Sequence, residues 1–144
     1  KDQLVFEFSA NKGSQFGTLK KVASGGELSR IMLSIKAILS RFKTLPTIIF
    51  DEIDTGVSGE VSYKIGDVMH QMSQYMQVIT ISHLPQVAAK GAHHFKVYKE
   101  TINQSTYTQL KKLKPDDRIL EIAQMLGGEE ISETAILHAK ELLN

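Results

Sequence analysis

Residues 47–52 read TIIFDE, an apolar segment that ends in two adjacent carboxylates, Asp51 and Glu52. Pro46 comes directly before it, and residues 47–50 are of the types that favour a short strand. A buried strand ending in two acids is costly unless the carboxylates meet a cation or a polar cleft. The stretch therefore predicts a strand whose end presents two carboxylates to a cation or a polar cleft. Two acids at a solvated strand end remain the alternative.

A second apolar strand is predicted at residues 78–81, VITI, which stop at Ser82 and His83. Helical spacing of apolar residues precedes each strand, and each helix is expected to bury one stripe. The stripes comprise Leu28, Ile31, Met32, Ile35, Ile38, Leu39 and Phe42 in the first helix, and Val61, Ile65, Val68, Met69, Met72 and Met76 in the second.

This alternation of short strands and helices predicts an α/β fold with parallel strands covered by helices on both faces. Ligands bind outside the carboxyl ends of such strands, so we expect His83 at the same edge as the two acids. A structural role for the histidine is the alternative.

The rest of the chain predicts smaller elements. Residues 4–8 and the turn at 11–13 indicate an early strand or hairpin, and residues 95–101 and 106–113 indicate an antiparallel pair joined through 103–105. Two closing helices follow, from near Asp116 to Gly127 and Gly128, and from Ser132 through Leu143. The sequence contains no repeat, low-complexity tract or linker, so residues 1–144 are expected to form a single domain.

Residues 24–27, SGGE, stand at the start of the first long helix. Ser24 and Glu27 have the spacing of a capping box, which satisfies free amides at a helix start. A cap does not explain Gly25 and Gly26, since each glycine costs up to about 1 kcal/mol relative to alanine inside a helix. Glycines are useful where a ligand approaches the backbone, and a helix start with free amides binds phosphate. Cap and phosphate site both remain open from this segment alone.

Residues 54–59, DTGVSG, form a small-residue loop before the second helix, where an ordinary loop with Ser58 as the N-cap is the simpler interpretation. The order of the segments carries more weight than any one of them. A phosphate-binding helix start, a strand leading to acids, a small-residue loop and a strand leading to histidine together predict one site.

Composition and charge limit the classes of function that the chain can have. The 144 residues carry a net charge of +1, which does not supply the broad basic surface of a protein whose main task is to grip a duplex. There are no cysteines, which excludes disulfides and thiolate chemistry and fits a reducing cytosol. No apolar run approaches the roughly 20 residues that span a bilayer. The first residue is Lys1 and no signal segment is present, so we expect a segment of a longer, cytoplasmic protein.

Four segments carry a resemblance to a known family. Residues 22–30, VASGGELSR, resemble the ABC signature motif in the form found in the RecN family of SMC-like bacterial DNA-repair ATPases. Residues 50–59, FDEIDTGVSG, resemble the family's Walker B motif and D-loop, and residues 81–88, ISHLPQVA, its switch-histidine segment. Residues 125–128 and 138–143 resemble the family's C-terminal ending. The resemblance covers nearly the whole chain.

The resemblance implies the C-terminal half of an ABC/SMC-type P-loop ATPase head, with a mainly parallel sheet flanked by helices, a small antiparallel strand pair and two C-terminal helices. It implies ATP and Mg²⁺ as ligands of a composite site. Asp51 would hold Mg²⁺ through water, Glu52 would be the general base, and His83 would sense the γ-phosphate.

The resemblance also implies contacts between the two heads of a homodimer. The ATP bound by the second head would be contacted by the signature residues Ser24, Gly25, Gly26 and Glu27. The D-loop residues Asp54, Ser58 and Gly59 would lie at the interface between the heads.

The sequence lacks the Gly-x-x-x-x-Gly-Lys-Ser/Thr phosphate loop of a complete head. The family carries this loop in an N-terminal half, separated by a coiled coil. We therefore expect the chain to need that half as a partner, and to neither bind ATP tightly nor hydrolyse it alone. DNA as a partner of the intact protein, and nucleoid association, follow from the resemblance only.

Two other interpretations remain. The chain could belong to a different ABC-type head, such as another SMC-like protein or a transporter subunit. It could instead be a dimerisation or DNA-binding module that is independent of nucleotide, which would leave the placement of Asp51, Glu52 and His83 unexplained.

Overall fold

A computed structural model describes residues 5–9, 12–13, 15–19, 25–41, 45–54, 56–128 and 130–144. Within these ranges the elements are, in chain order, β1 Glu7–Phe8, β2 Gly17–Thr18, α1 Gly25–Leu39, β3 Thr47–Asp51, α2 Glu60–Met72, β4 Gln77–Ile81, α3 Pro85–Lys90, β5 Phe95–Ile102, β6 Ser105–Lys112, α4 Pro115–Gly127 and α5 Glu133–Leu143. None of these helices is long and apolar enough to cross a membrane.

The two strands predicted to be parallel, β3 and β4, do pair in parallel, from Thr47 opposite Gln77 to Asp51 opposite Ile81. Side chains alternate across the pair, because successive residues of a strand point to opposite faces. Ile48, Phe50 and Val78 pack in the first hydrophobic cluster, beside helices α1 and α2.

The second face of this parallel pair is bare. Ile49, Ile79 and Ile81 are 60%, 43% and 53% exposed, so the expectation of helices on both faces is wrong for the part of the chain that the structure describes. Parallel strands are normally covered on both sides, and an apolar face left open indicates that another layer belongs there.

Helix α1 has the predicted position but not the predicted buried stripe. Leu33 is its buried apolar residue, and Lys36 lies over the ring of Phe50 at 5.8 Å from the centroid. Four members of the predicted stripe, Leu28, Met32, Ile38 and Leu39, are exposed. Phe42 lies outside the described residues. The helix therefore presents two apolar sides, one toward the first cluster and one toward solvent.

Helix α2 buries the predicted methionine face, with Ile65, Met69, Met72 and the following Met76 in the first cluster, although Val61 is exposed. It also packs closely on α3, where Gly66 is the contact point. A Cβ added at Gly66 would lie 3.0 Å from Lys90 Cγ and 3.1 Å from the carbonyl oxygen of Gln86.

The short helix α3 connects two hydrophobic clusters. Val87 belongs to the first cluster and Ala89 to the second, because residues two apart in a helix point in nearly opposite directions. Helices α4 and α5 supply the rest of the second cluster, Ile122, Ala123, Ala135 and Ala139. The predicted start of α5 is confirmed by its N-cap, since the Ser132 hydroxyl accepts a hydrogen bond from the amide of Ala135 at 3.1 Å.

Two antiparallel hairpins are separate from the parallel pair. Strand β1 pairs with β2, and β5 pairs with β6 from Phe95 opposite Lys112 to Ile102 opposite Ser105. The connecting turn is Asn103 and Gln104 alone, and Ser105 is already in the strand rather than in the loop. Two ion pairs connect the β5–β6 hairpin to α4, Lys96 with Glu121 and Lys111 with Asp117.

Candidate active site

The carboxyl end of the parallel pair brings together the acids and the histidine that the sequence predicted there. Asp51 is the last residue of β3 and lies opposite Ile81, the last residue of β4. The amide of Glu52 donates to the carbonyl of Ile81 at 3.0 Å, which continues the strand pairing by one residue. Residues Ser82 and His83 follow at once. One sheet edge therefore carries both acids and the histidine.

Glu52 has an unusual backbone conformation. Its φ of 46° places a residue with a side chain in the left-handed region, which is uncommon for residues other than glycine and asparagine. Such conformations cost about 1–3 kcal/mol and persist where the surroundings impose them, often at functional sites. Asp51 and Glu52 are both exposed, so a ligand at this edge could reach either carboxylate.

Asp54 is placed differently from the other predicted loop residues. It is only 1% exposed, and its Oδ2 accepts a hydrogen bond from the hydroxyl of Ser82. The Ser82 hydroxyl in turn accepts from the amide of Leu84 at 3.0 Å. Oδ1 of Asp54 lies 3.9 Å from Nδ1 of His83. Asp54 thus connects the segment that follows β3 to the segment that follows β4 within one chain.

Ser58 and Gly59 lie on the surface just before α2. The N-cap of α2 is Gly59, with φ of 59° and ψ of −138°, and no side chain caps the helix. The simpler interpretation, in which Ser58 is the N-cap, is therefore wrong. The conformation of Gly59 is one that favours glycine, and it leaves the Ser58 hydroxyl available at the surface.

The predicted phosphate-binding helix start lies in the first turn of α1. Gly25 is its first residue, with Gly26 and Glu27 following, while Ser24 lies outside the described residues. A Cβ added at Gly25 would meet no atom within 4 Å. Packing against the residues that the structure describes therefore does not require a glycine at position 25. Helix α1 meets β3 about three turns further along, at Lys36 over Phe50.

The acids suit Mg²⁺ by the chemistry of their ligand atoms. Mg²⁺ prefers oxygen ligands, and it commonly keeps several waters while binding one or two carboxylates and the phosphates of a substrate. Across the described ranges no group of three or more His, Asp or Glu side chains could hold a metal by itself. Asp51 at an open strand end fits a site of this water- and phosphate-dependent kind.

Sequence reasoning did not find the link between Asp54, Ser82 and His83. The three residues are separated by up to 29 positions, and nothing in the local pattern distinguishes Asp54 from a solvated loop acid. Only the parallel pairing of β3 with β4 brings the segments together. The one signal available was that both segments directly follow apolar strands.

Comparison with known proteins gives close relatives. The chain is 43% identical over 143 residues to the DNA repair protein RecN of Haemophilus influenzae, a match that covers 99% of this chain and 26% of the relative. It is 46% identical over 142 residues to RecN of Bacillus subtilis, covering 99% of this chain and 25% of the relative. Over almost its whole length, the chain is similar to a portion of RecN. It spans about a quarter of the length of the RecN proteins it matches. No family model matches it.

Solved structures show that this chain has the fold of part of an SMC head. The SMC head domain of Pyrococcus yayanosii, with its coiled coil and joint, superposes with a TM-score of 0.64 at 20% identity, over 78% of this chain and 21% of that one. A structure from a study of ATP-driven dimerization and DNA-stimulated activation of SMC ATPases superposes with a TM-score of 0.60 at 17% identity, over 82% and 70%. The predicted fold class, an α/β portion of an ABC/SMC-type head, is confirmed.

Proposed function

We propose that this chain is the C-terminal segment of the ATPase head of a RecN-type DNA-repair protein and supplies one side of a composite ATP site. The observation that carries the proposal is the shared sheet edge, where Asp51, Glu52 and His83 follow two paired parallel strands. Three groups suited to one phosphoryl-transfer reaction lie at this edge, although 30 residues separate Glu52 from His83 in the sequence.

Each residue at the edge has a separate task in this proposal. Mg²⁺, when bound, neutralises charge on the phosphates, and Asp51 holds it through water. Glu52 orients the attacking water and accepts its proton. His83 contacts the γ-phosphate, which positions its imidazole beside the group that is transferred to water. The exposure of Asp51 and Glu52 supports these tasks, because both carboxylates can reach solvent and ligand.

A second head completes the site in a homodimer. The signature residues Ser24, Gly25, Gly26 and Glu27, the last three in the first turn of α1, contact the γ-phosphate of ATP bound by the partner head. The exposed residues Ser58 and Gly59 meet the partner at the interface. The open space around Gly25 supports this role, because the glycine is not needed for packing within the chain and a phosphate could approach the backbone.

The remainder of the head comes from the N-terminal half of the same protein. The chain contains no phosphate loop, so it neither binds ATP tightly nor turns it over alone. The bare face of the parallel pair supports this division, since Ile49, Ile79 and Ile81 offer an apolar surface for a missing layer. DNA is the partner of the intact protein, and its main contact lies outside a chain whose net charge is only +1.

The decisive experiment is ATP turnover by a two-part assembly of this chain with the N-terminal half that carries the phosphate loop. We expect turnover only when both parts are present, and its loss with Glu52→Gln while ATP binding is retained. A correctly folded assembly that has no turnover, or whose turnover is unchanged by Glu52→Gln, would instead support a dimerisation or DNA-binding module that is independent of nucleotide.

Gly25→Ala separates function from folding in the same assembly. The added methyl meets no atom and replaces glycine in a helix, so the chain should unfold at the same or a slightly higher temperature. Turnover should nevertheless fall at least tenfold, because the methyl blocks approach of the phosphate from the partner head. Unchanged turnover would remove α1 from the proposed site.

A further inference from the structure

The carboxylate of Asp54 has an unusual environment for a loop acid. It is 1% exposed, and Ser82 donates to one of its oxygens, Oδ2. The other oxygen, Oδ1, is buried and has no hydrogen-bond partner in the part of the chain that the structure describes. A buried carboxylate oxygen without a donor is costly, so its position calls for a group that can donate to it.

The imidazole of His83 is placed to be that donor. Its Nδ1 lies 3.9 Å from Oδ1, somewhat beyond the 2.7–3.2 Å typical of an N–H···O hydrogen bond. The His83 side chain is 63% exposed, so the ring has room to rotate toward the carboxylate. The backbone on either side of His83 is held, because the Ser82 hydroxyl accepts from the amide of Leu84. A small rotation of the ring would close the contact.

We propose that Asp54 is a positioning residue for His83: Oδ1 accepts the Nδ1–H of the imidazole and turns Nε2 toward the edge that carries Asp51 and Glu52. The inference rests on the proposed function for its purpose, which is to present Nε2 to the γ-phosphate. It also gives Asp54 a role within its own chain, in place of the interface role that its position in the D-loop implies.

An ionised carboxylate suits both of its neighbours because it only accepts hydrogen bonds. Ser82 Oγ–H donates to Oδ2, and His83 Nδ1–H donates to Oδ1. The neutral ring is then protonated on Nδ1, and the tautomer is set by the hydrogen bond that this nitrogen makes. Contact with a phosphate oxygen also requires a proton on Nε2, so the ring that binds the γ-phosphate is protonated on both nitrogens and donates to Asp54 through Nδ1 and to the phosphate through Nε2.

Asp54→Asn tests this arrangement with little change in shape. An amide can accept from Ser82 through its oxygen only by turning its NH₂ toward His83 Nδ1. That nitrogen must then accept, so the neutral ring changes to the Nε2–H tautomer. We expect nitrogen chemical shifts of the ¹⁵N-histidine-labelled 144-residue chain to report Nδ1–H for His83 in the parent and Nε2–H in Asp54→Asn. His83→Gln assigns the signal.

Asp67→Asn is the matched control, because it makes the same change at an exposed aspartate of α2 that pairs with Lys90. It should leave the His83 tautomer as in the parent. An Nε2–H ring in the parent, or an unchanged tautomer in a folded Asp54→Asn chain, would overturn the proposal. If Asp54→Asn does not fold, the parent spectrum alone decides between the two tautomers.

Turnover in the two-part assembly shows whether the positioning matters for the reaction. Asp54→Asn should lower kcat about as much as His83→Gln does. The double variant should have nearly the same kcat as His83→Gln alone, because the two residues act through one contact. A parent assembly with no turnover would sink the proposed function, while the tautomer measurement would still decide the contact. Additive losses from the two substitutions would overturn the coupling.

Discussion

Three residues with side chains have positive φ angles in the described structure: Glu52, Asn103 and Gln104. Glu52 stands directly after β3, and its conformation fits a site that is held in a costly geometry by its surroundings. Asn103 and Gln104 are the two central residues of the β5–β6 turn, with φ of 49° and 64°. Positive φ at both positions is the signature of a type I′ turn. Positive φ thus occurs at the proposed site in one case and in a hairpin turn in the other.

Gln104→Gly should stabilise the chain. The type I′ turn favours Asn followed by Gly, and glutamine at the second position is in a conformation that glycine adopts without steric cost. We expect the free energy of unfolding to rise by about 0.5–1 kcal/mol, measured by urea denaturation. Gln71→Gly, in the last turn of α2, is the control and should lower it, by up to about 1 kcal/mol. A loss of stability at position 104 would contradict the assigned turn.

His94 should make stability depend on pH. Burial lowers the pKa of His94 below its ordinary value of 6.5, Arg118 and Lys96 lower it further, and Glu121 acts in the opposite direction. Its Nδ1 is buried without a hydrogen-bond partner in the described structure. As the pH falls below 6.5, the unfolded chain binds a proton there that the folded chain resists. Falling pH therefore favours unfolding, until the pH reaches the lower pKa of the folded state.

The measurement is the free energy of unfolding between pH 7.5 and roughly pH 5. One such proton contributes at most about 1.4 kcal/mol per pH unit. His94→Gln should flatten the decrease on the acid side, whereas His70→Gln, at an exposed histidine of α2, should keep it. An equally steep decrease in the His94→Gln chain would show that other groups cause it.

Among the elements, helix α3 has the most exacting packing. It contributes to both hydrophobic clusters and contacts α2 at Gly66. Arg118 of α4 donates to the carbonyls of Ala89 at 2.7 Å and Gly91 at 2.6 Å, which satisfies backbone groups at the end of α3. Because His83 lies two residues before the first residue of this helix, the position of α3 also fixes one side of the proposed site.

Gly66→Ala should disturb this packing. The added Cβ would lie 3.1 Å from the Gln86 carbonyl, a backbone atom that cannot move without shifting α3. Overpacking costs about 1–3 kcal/mol, which exceeds the gain of up to about 1 kcal/mol in helix propensity. We expect a net loss of about 1 kcal/mol in urea denaturation. Gly127→Ala, where the Cβ would lie 3.4 Å from Ala135 Cβ, is the control and should be neutral or stabilising.

At the scale of the whole molecule, the helices α1 and α2 both lie on one face of the parallel pair, and the other face is open. Continuous apolar strands of this kind are normally enclosed by two layers. The open face, together with the exposed side of α1, therefore has the composition of an interior surface rather than of a solvated one. This matches a chain that spans a quarter of its relatives.

Ile49→Thr combined with Ile79→Thr should weaken association with the N-terminal half of the head. Each isoleucine is about half exposed in the chain alone, so its further burial is worth about 1 kcal/mol and the pair about a 30-fold change in Kd. Stability of the chain alone should change little, while its binding of a hydrophobic dye should fall. Leu137→Thr, exposed on α5, is the control. An unchanged Kd for the double variant would place the partner elsewhere.

The sequence by itself determined the features that depend on neighbours along the chain. The strands after Pro46 and before Ser82, the cap at Ser132 and the approximate limits of α1, α4 and α5 follow from local propensity and capping. The meeting of Asp51, Glu52 and His83 at one edge could also be predicted, because parallel strands end at the same side of a sheet. Their roles in ATP chemistry remain proposals.

Only the tertiary structure decided which apolar and polar groups are enclosed. Periodicity marks that a helix has an apolar side, but not which neighbour covers it, so Leu33 is buried while Leu28 and Met32 are exposed. It cannot tell whether a second layer is present, so the bare face of the parallel pair was not foreseen. Nor can it pair Asp54 with Ser82, 28 positions away. Burial and hydrogen bonding between distant segments are properties of the packed chain, and local sequence does not contain them.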